Sequence, residues 1–137
     1  MARRAGPSRP GVSDVDFLTL EDAFGLIRVL GVGPARDVGL LDSALARPRS
    51  SVFAQDAYAT IELKASALLH SLTKSHPLVD GNKRLAWLAT TVFLYLNGYD
   101  CAASDDEAFD LMWELASGSL ELEAIAQRLQ LKKRRRR

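Results

Sequence analysis

Within nine residues, His76-Pro77-Leu78-Val79-Asp80-Gly81-Asn82-Lys83-Arg84 gathers an imidazole, a carboxylate, a glycine, an amide and two adjacent cations. Pro77 disfavours the α region for His76, so the preceding helix should end there and leave the imidazole on a turn. Histidine is the side chain that changes charge nearest neutral pH, which suits His76 to accept a proton. Asp80 is a hard oxygen ligand, of the kind that holds Mg²⁺ together with substrate phosphates. Gly81 permits positive φ or close backbone approach. Asn82 is either an N-cap or an orienting amide, at a helix start where orphan N–H groups and the positive dipole end favour an anion. Lys83 adds a point charge and Arg84 a planar fork, both matched to phosphate oxygens.

Taken singly, these residues also fit an ordinary loop, because Asp-Gly-Asn is common turn chemistry. Two cations at a helix N-terminus are the exception. Each opposes the dipole by about 0.3–1 kcal/mol, a cost that a bound anion would offset. The combination points to a phosphate-bearing ligand. Lys74, two residues before His76, either reaches the same phosphate or ends in solvent.

The elements that must position this loop are helical. Thr19-Leu20-Glu21-Asp22 predicts a helix to about Leu30, broken by Gly31-Val32-Gly33-Pro34. That Gly-x-Gly lacks a third glycine and a preceding strand, so it is not a nucleotide fingerprint. A second helix is predicted from Gly39 to Ala46, then an irregular segment from Arg47 to Asp56. A long amphipathic helix runs from about Tyr58 to Lys74, with Ile61, Leu63, Ala65, Leu68, Leu69 and Leu72 on its apolar faces. Leu85 to Leu96 reads as a buried helix ended by Asn97-Gly98. Ser104-Asp105-Asp106-Glu107 is a capping box for a helix to about Ser117, and Ser119 caps a last helix reaching Leu131. His70 reads as a packed or rim histidine, Trp87 and Trp113 as core, Arg47 and Arg49 as surface. No convincing alternating strand appears, and the fold class is all-α.

The 137 residues suffice for one ordinary core. Net charge is +1, but Lys132 to Arg137 supplies six of the eighteen basic residues, leaving twelve basic against seventeen acidic, a net of −5. The chain therefore divides into a leader (1–16) expected to be disordered, a domain (17–131) and a basic tail (132–137), for which a solvated, frayed end is the expected state. One cysteine, Cys101, allows no internal disulfide. No secretory signal or membrane-spanning run is visible, so a cytoplasmic location and no membrane partner are expected. No H-x-x-x-H or C-x-x-C spacing suggests a structural metal.

The His76–Arg84 segment resembles the signature of the Fic/Doc superfamily, H-x-F-x-D/E-G-N-G-R-x-x-R. His76, Asp80, Gly81, Asn82 and Arg84 fall on pattern positions. Lys83 stands for the second glycine and Trp87 for the last arginine, as in the Doc (death-on-curing) branch. Asp37 to Pro48 is similar to the family's R-D-x-G-L-L-E-S-A-L-A-R-P segment, and Phe93 to Tyr99 to its F-L-x-x-N-G-Y stretch. Leu78 departs from the family's usual Phe at a position that should anchor the loop in the core. The resemblance covers roughly Phe17 to Leu131.

The resemblance implies a helical bundle around a buried central helix, with a target-binding flap at Arg47 to Asp56. It implies a toxin of a toxin–antitoxin system that transfers the γ-phosphate of ATP to a Ser/Thr hydroxyl, on elongation factor Tu, and so arrests translation. His76 would be the base and Asp80 the Mg²⁺ ligand. Gly81, Asn82, Lys83 and Arg84, with Lys74, would bind the nucleotide, and Lys83 and Arg84 would act on the transferred phosphate. A Phd-like antitoxin is the expected partner. Two other readings stay open: a Fic-type AMP transferase on the same fold, and a non-enzymatic module whose basic tail binds nucleic acid or an acidic partner. Nucleic-acid binding is the less favoured of these.

Overall fold

The computed structural model describes residues 14–135. Helix α1 (Leu20–Leu30) starts where predicted, and its start is a capping box: the Thr19 hydroxyl accepts the Asp22 N–H, and the Asp22 carboxylate accepts the Thr19 N–H at 2.8 Å. Helix α2 (Val38–Ala46), capped by Asp37, passes into one 3₁₀ turn, Arg47–Arg49. The segment expected to be irregular then forms a small antiparallel hairpin, β1 (Ser51–Val52) and β2 (Gln55–Asp56). Its turn residues Phe53 and Ala54 both have positive φ, and Phe53 is 96% exposed.

Helix α3 (Ile61–Ser75) starts later than the expected Tyr58 because the Thr60 hydroxyl caps it, accepting the Leu63 N–H at 3.1 Å. Helix α4 (Asn82–Leu96) follows the candidate loop, and then come β3 (Tyr99–Cys101) and α5 (Asp105–Ser117). The Ser104–Glu107 capping box forms as predicted. Ser119 does not cap the last helix: Glu121 occupies that position in α6 (Leu122–Leu129), and Gln130, at φ 53°, ends it short of Leu131. The chain turns there into β4 (Leu131–Lys133), antiparallel to β3. Strands of two or three residues are too short to register as period-two patterns.

The architecture is helical. Helix α4 packs against α1, α3, α5 and β3, while α3 also meets α2, α6 and the 3₁₀ turn. The buried face of α4 carries Leu85, Ala86, Ala89, Thr90, Phe93 and Leu94, whereas Lys83, Arg84 and Tyr95 are exposed. Lys64 is a buried cation of α3, its ammonium donating to Asp56 Oδ2 at 3.1 Å and to the Tyr58 carbonyl. That pair pins the exit of the β1–β2 hairpin to the core.

Both ends of the described segment meet the domain. Of the expected leader, residues 1–13 lie outside the described residues. Asp16 is tied to the end of α4: its N–H donates to Asn97 Oδ1 and its carbonyl accepts from Asn97 Nδ2, each at 2.9 Å. Of the basic tail, Lys132 and Lys133 lie in β4 instead of a frayed end. Lys132 stands opposite Asp100, so opposite charges face each other across the pair. Arg134 covers the Tyr95 ring at 3.9 Å, and residues 136–137 lie outside the description. No helix among the described residues is long and apolar enough to cross a membrane.

Asn97 also donates to the Phe93 carbonyl at 2.8 Å, so Asn97→Ala removes three hydrogen bonds at one point. We expect it to cost about 1–3 kcal/mol, seen as a lower urea midpoint with unchanged slope.

Candidate active site

The loop between α3 and α4 is shaped by a second segment, the one joining α1 to α2. The Val79 N–H donates to the Pro34 carbonyl at 2.9 Å and the Gly33 N–H to the Asp80 carbonyl at 3.0 Å. The N–H groups of Arg36 and Asp37 both donate to the Pro77 carbonyl, at 2.7 and 3.2 Å. The Arg36 side chain adds bonds from Nε and Nη2 to the His76 carbonyl, at 3.0 and 2.7 Å. The Gly-x-Gly segment rejected as a nucleotide fingerprint is thus the template of the loop.

Within the loop, each residue has a distinct place. His76 ends α3 in the left-handed region at φ 50°, and its side chain is exposed. Leu78, in the family's Phe position, is 1% exposed and sits in the core. Asn82 proves to be the orienting amide, not the N-cap: its Oδ1 accepts the Leu78 N–H at 2.8 Å and its Nδ2 donates to the Leu78 carbonyl at 2.9 Å. Gly81 takes the N-cap position at φ 90°, where a Cβ would lie 2.5 Å from Val32 Cγ1. Only glycine fits there.

Because Gly81 has no side chain, the first turn of α4 lacks a side-chain cap and holds no acidic residue. Helices α1, α3 and α5 each have both. The orphan N–H groups at the start of α4 are therefore free to meet a ligand anion. Arg84 Nη2 stands 3.8 Å from Asp80 Oδ2, with the two side chains 61% and 81% exposed. So exposed an ion pair contributes little, and both groups can turn toward a ligand. Lys83 and Arg84 also edge a cavity of about 550 Å³ whose wall includes Leu30, Trp87, Phe109 and Trp113. Trp113 is 62% exposed, not core: α5 turns it outward, where it stacks on Phe109 at 6.4 Å beneath the Lys83 ammonium at 5.8 Å.

A Fic/Doc family model matches residues 16–94, more than half of the chain. The chain belongs to the Fic/Doc family. It is 47% identical over 118 residues to a protein named Toxin Doc from Mycolicibacterium smegmatis, a match covering 83% of this chain and 91% of that protein. As a member of the family, the chain carries its motif on a continuous, doubly supported loop. His76, Asp80, Gly81, Asn82, Lys83 and Arg84 lie between the end of α3 and the first turn of α4.

Lys74 goes elsewhere. Its ammonium donates to the Gly118 carbonyl, and it lines a second cavity that shares no lining residue with the first. As for a metal, the described residues contain no group of three or more His, Cys, Asp or Glu able to hold one. Asp80 alone fits a Mg²⁺ whose other ligands are phosphate oxygens and water, which is how Mg²⁺ usually binds in phosphoryl-transfer sites. The residue that sequence reading missed is Arg36. It lies 40 positions from the carbonyl it holds, and its only signal was its place beside Asp37 at the head of the second family segment.

Gly81→Ala is expected to destabilise the protein by about 2–4 kcal/mol, from backbone strain at positive φ plus the clash with Val32. Adding Val32→Ala should recover only the clash. Urea unfolding of the two variants checks this, and full recovery in the double variant would mean that φ strain plays no part.

Proposed function

We propose that this protein is a Doc-type toxin that transfers the γ-phosphate of ATP to a Ser/Thr hydroxyl of a target protein, with elongation factor Tu as the target. The observation that carries the reading is the uncapped N-terminus of α4 beside Lys83 and Arg84, on a loop that also presents His76 and Asp80. His76 takes the proton of the attacking hydroxyl at an imidazole nitrogen. Amides in the first turn of α4 bind phosphate oxygens, while Lys83 and Arg84 counter the charge that gathers on the transferred group. Asp80 holds Mg²⁺, which, when bound, neutralises phosphate charge and fixes the nucleotide's geometry. Arg36 and Asn82 keep these groups in register by holding the loop backbone at His76 and Leu78.

Phosphate transfer is preferred to AMP transfer because Lys83 fills the position of the family's small glycine and Trp87 that of its second arginine. In the Doc branch the nucleotide is understood to lie inverted, presenting its γ-phosphate. The exposed β1–β2 hairpin is the proposed flap for the target chain. A Phd-like antitoxin is the proposed partner, a reading that the relative's name, Toxin Doc, supports.

Intact mass of purified elongation factor Tu, after incubation with the protein, Mg²⁺ and ATP, tests the proposal. A gain of one phosphate, absent with His76→Ala, is expected. A gain of one AMP would move the protein to the nucleotidyl-transferring branch, and an unchanged mass would remove elongation factor Tu as the target.

A further inference from the structure

A second concave site lies between α2, the 3₁₀ turn and α3, with a volume of about 620 Å³, within the range of small-ligand pockets. Arg47, His70 and Lys74 line it with Ser43, Ser50, Ser71 and Ser75, and no Asp or Glu lines it. In a domain whose body is net acidic, this is a local concentration of positive charge and hydroxyl donors.

Arg47 sets the geometry. Expected at the surface, it is half-buried: its Nε donates to the Tyr58 hydroxyl at 2.8 Å, and its Nη1 donates to His70 Nδ1 at 3.0 Å and Ser71 Oγ at 2.9 Å. All three acceptors are neutral, and no described carboxylate forms an ion pair with Arg47 or Lys74. Nη2 bonds to no described residue and is not sealed from solvent. Because His70 Nδ1 accepts from Arg47, the imidazole proton sits on Nε2 and remains available to a ligand. Ser71, accepting from Arg47, still has its own O–H to donate. Burial, then the charges of Arg47 and Lys74, hold His70 below its ordinary value, so the imidazole stays neutral in a field that is positive.

We propose that this cavity binds the phosphate group of a small phosphomonoester, held by Arg47 Nη2, His70 Nε2–H and the Ser71 hydroxyl, with added positive charge from Lys74, whose ammonium also donates to the Gly118 carbonyl. A dianion supplies the negative charge that the described protein groups there do not, and a planar guanidinium edge beside the Ser71 hydroxyl suits tetrahedral phosphate. Leu40, Ala44 and Ala46 provide an apolar wall for the organic part. The site touches both ends of the β1–β2 hairpin, since Arg47 precedes it and bonds to Tyr58 beyond it.

The test is a site-resolved NMR titration of the full-length labelled chain with inorganic phosphate and, separately, phenyl phosphate. Potassium chloride at matched ionic strength is the control. Saturable shifts are expected at the Ser43, Ser50 and Ser71 amides and the His70 ring. Lys74→Met, a change at an exposed side chain, should weaken them by roughly fivefold, and Arg47→Met by about tenfold or more. Lys83→Met should leave them unchanged, separating this site from the start of α4. Tighter binding of phenyl phosphate than of phosphate would identify an organic monoester; equal affinities would identify the free ion. Shifts that chloride reproduces, shifts confined to α4, or affinity indifferent to Lys74→Met in a folded protein would each overturn the proposal.

Discussion

Four backbone hydrogen bonds between Gly33–Asp37 and Pro77–Asp80 are the constraint on which the site depends. A loop that carries an imidazole and a carboxylate and runs into two cations on the next helix would ordinarily sample many arrangements. Here its carbonyls and amides are paired against a second chain segment, Leu78 is buried, and Gly81 is wedged against Val32. Ordering the loop costs conformational entropy at folding, so it need not be ordered again when ligand binds. Preorganisation of this kind is what transfer chemistry asks of a protein, because positioning and electrostatics are most of its contribution.

That same wedge explains why α4 begins bare. A residue able to cap the helix needs a side chain at Gly81, and Val32 leaves no room for one. Asn82, the nearest amide, is committed to the Leu78 backbone. The helix therefore keeps unpaired N–H groups at the point where Lys83 and Arg84 add charge. In a helix with no ligand this is unfavourable twice over, through orphan donors and through cations opposing the dipole. A bound phosphate relieves both.

Much of this was legible in the sequence because it is local. The Thr19 helix start, the Ser104 capping box and the helix stop before Pro77 follow from residues within one turn of each other. Gly81 was legible only as a place for positive φ or close approach; the Val32 that makes glycine necessary comes from the α1–α2 connection. What sequence reading could not supply is non-local or too short. Arg36 acts across 40 positions, the Asp100–Lys132 pairing across a helix pair, and strands of two or three residues carry no period. Arg47 was read as surface because an arginine near a proline usually is. Its acceptors, Tyr58, His70 and Ser71, lie on elements that only folding brings alongside. Trp113 was misread for the opposite reason: an aromatic residue in a helix suggests core, yet the outward face of α5 presents it to solvent beside Lys83.

The most direct test of a preformed phosphate site at α4 is a titration of the labelled chain with ATP and Mg²⁺, followed at the amides of Asn82, Lys83 and Arg84. Saturable shifts at these three, larger than at any other α4 amide, are the predicted result. Saturable binding that leaves them unmoved would contradict it and place the nucleotide elsewhere.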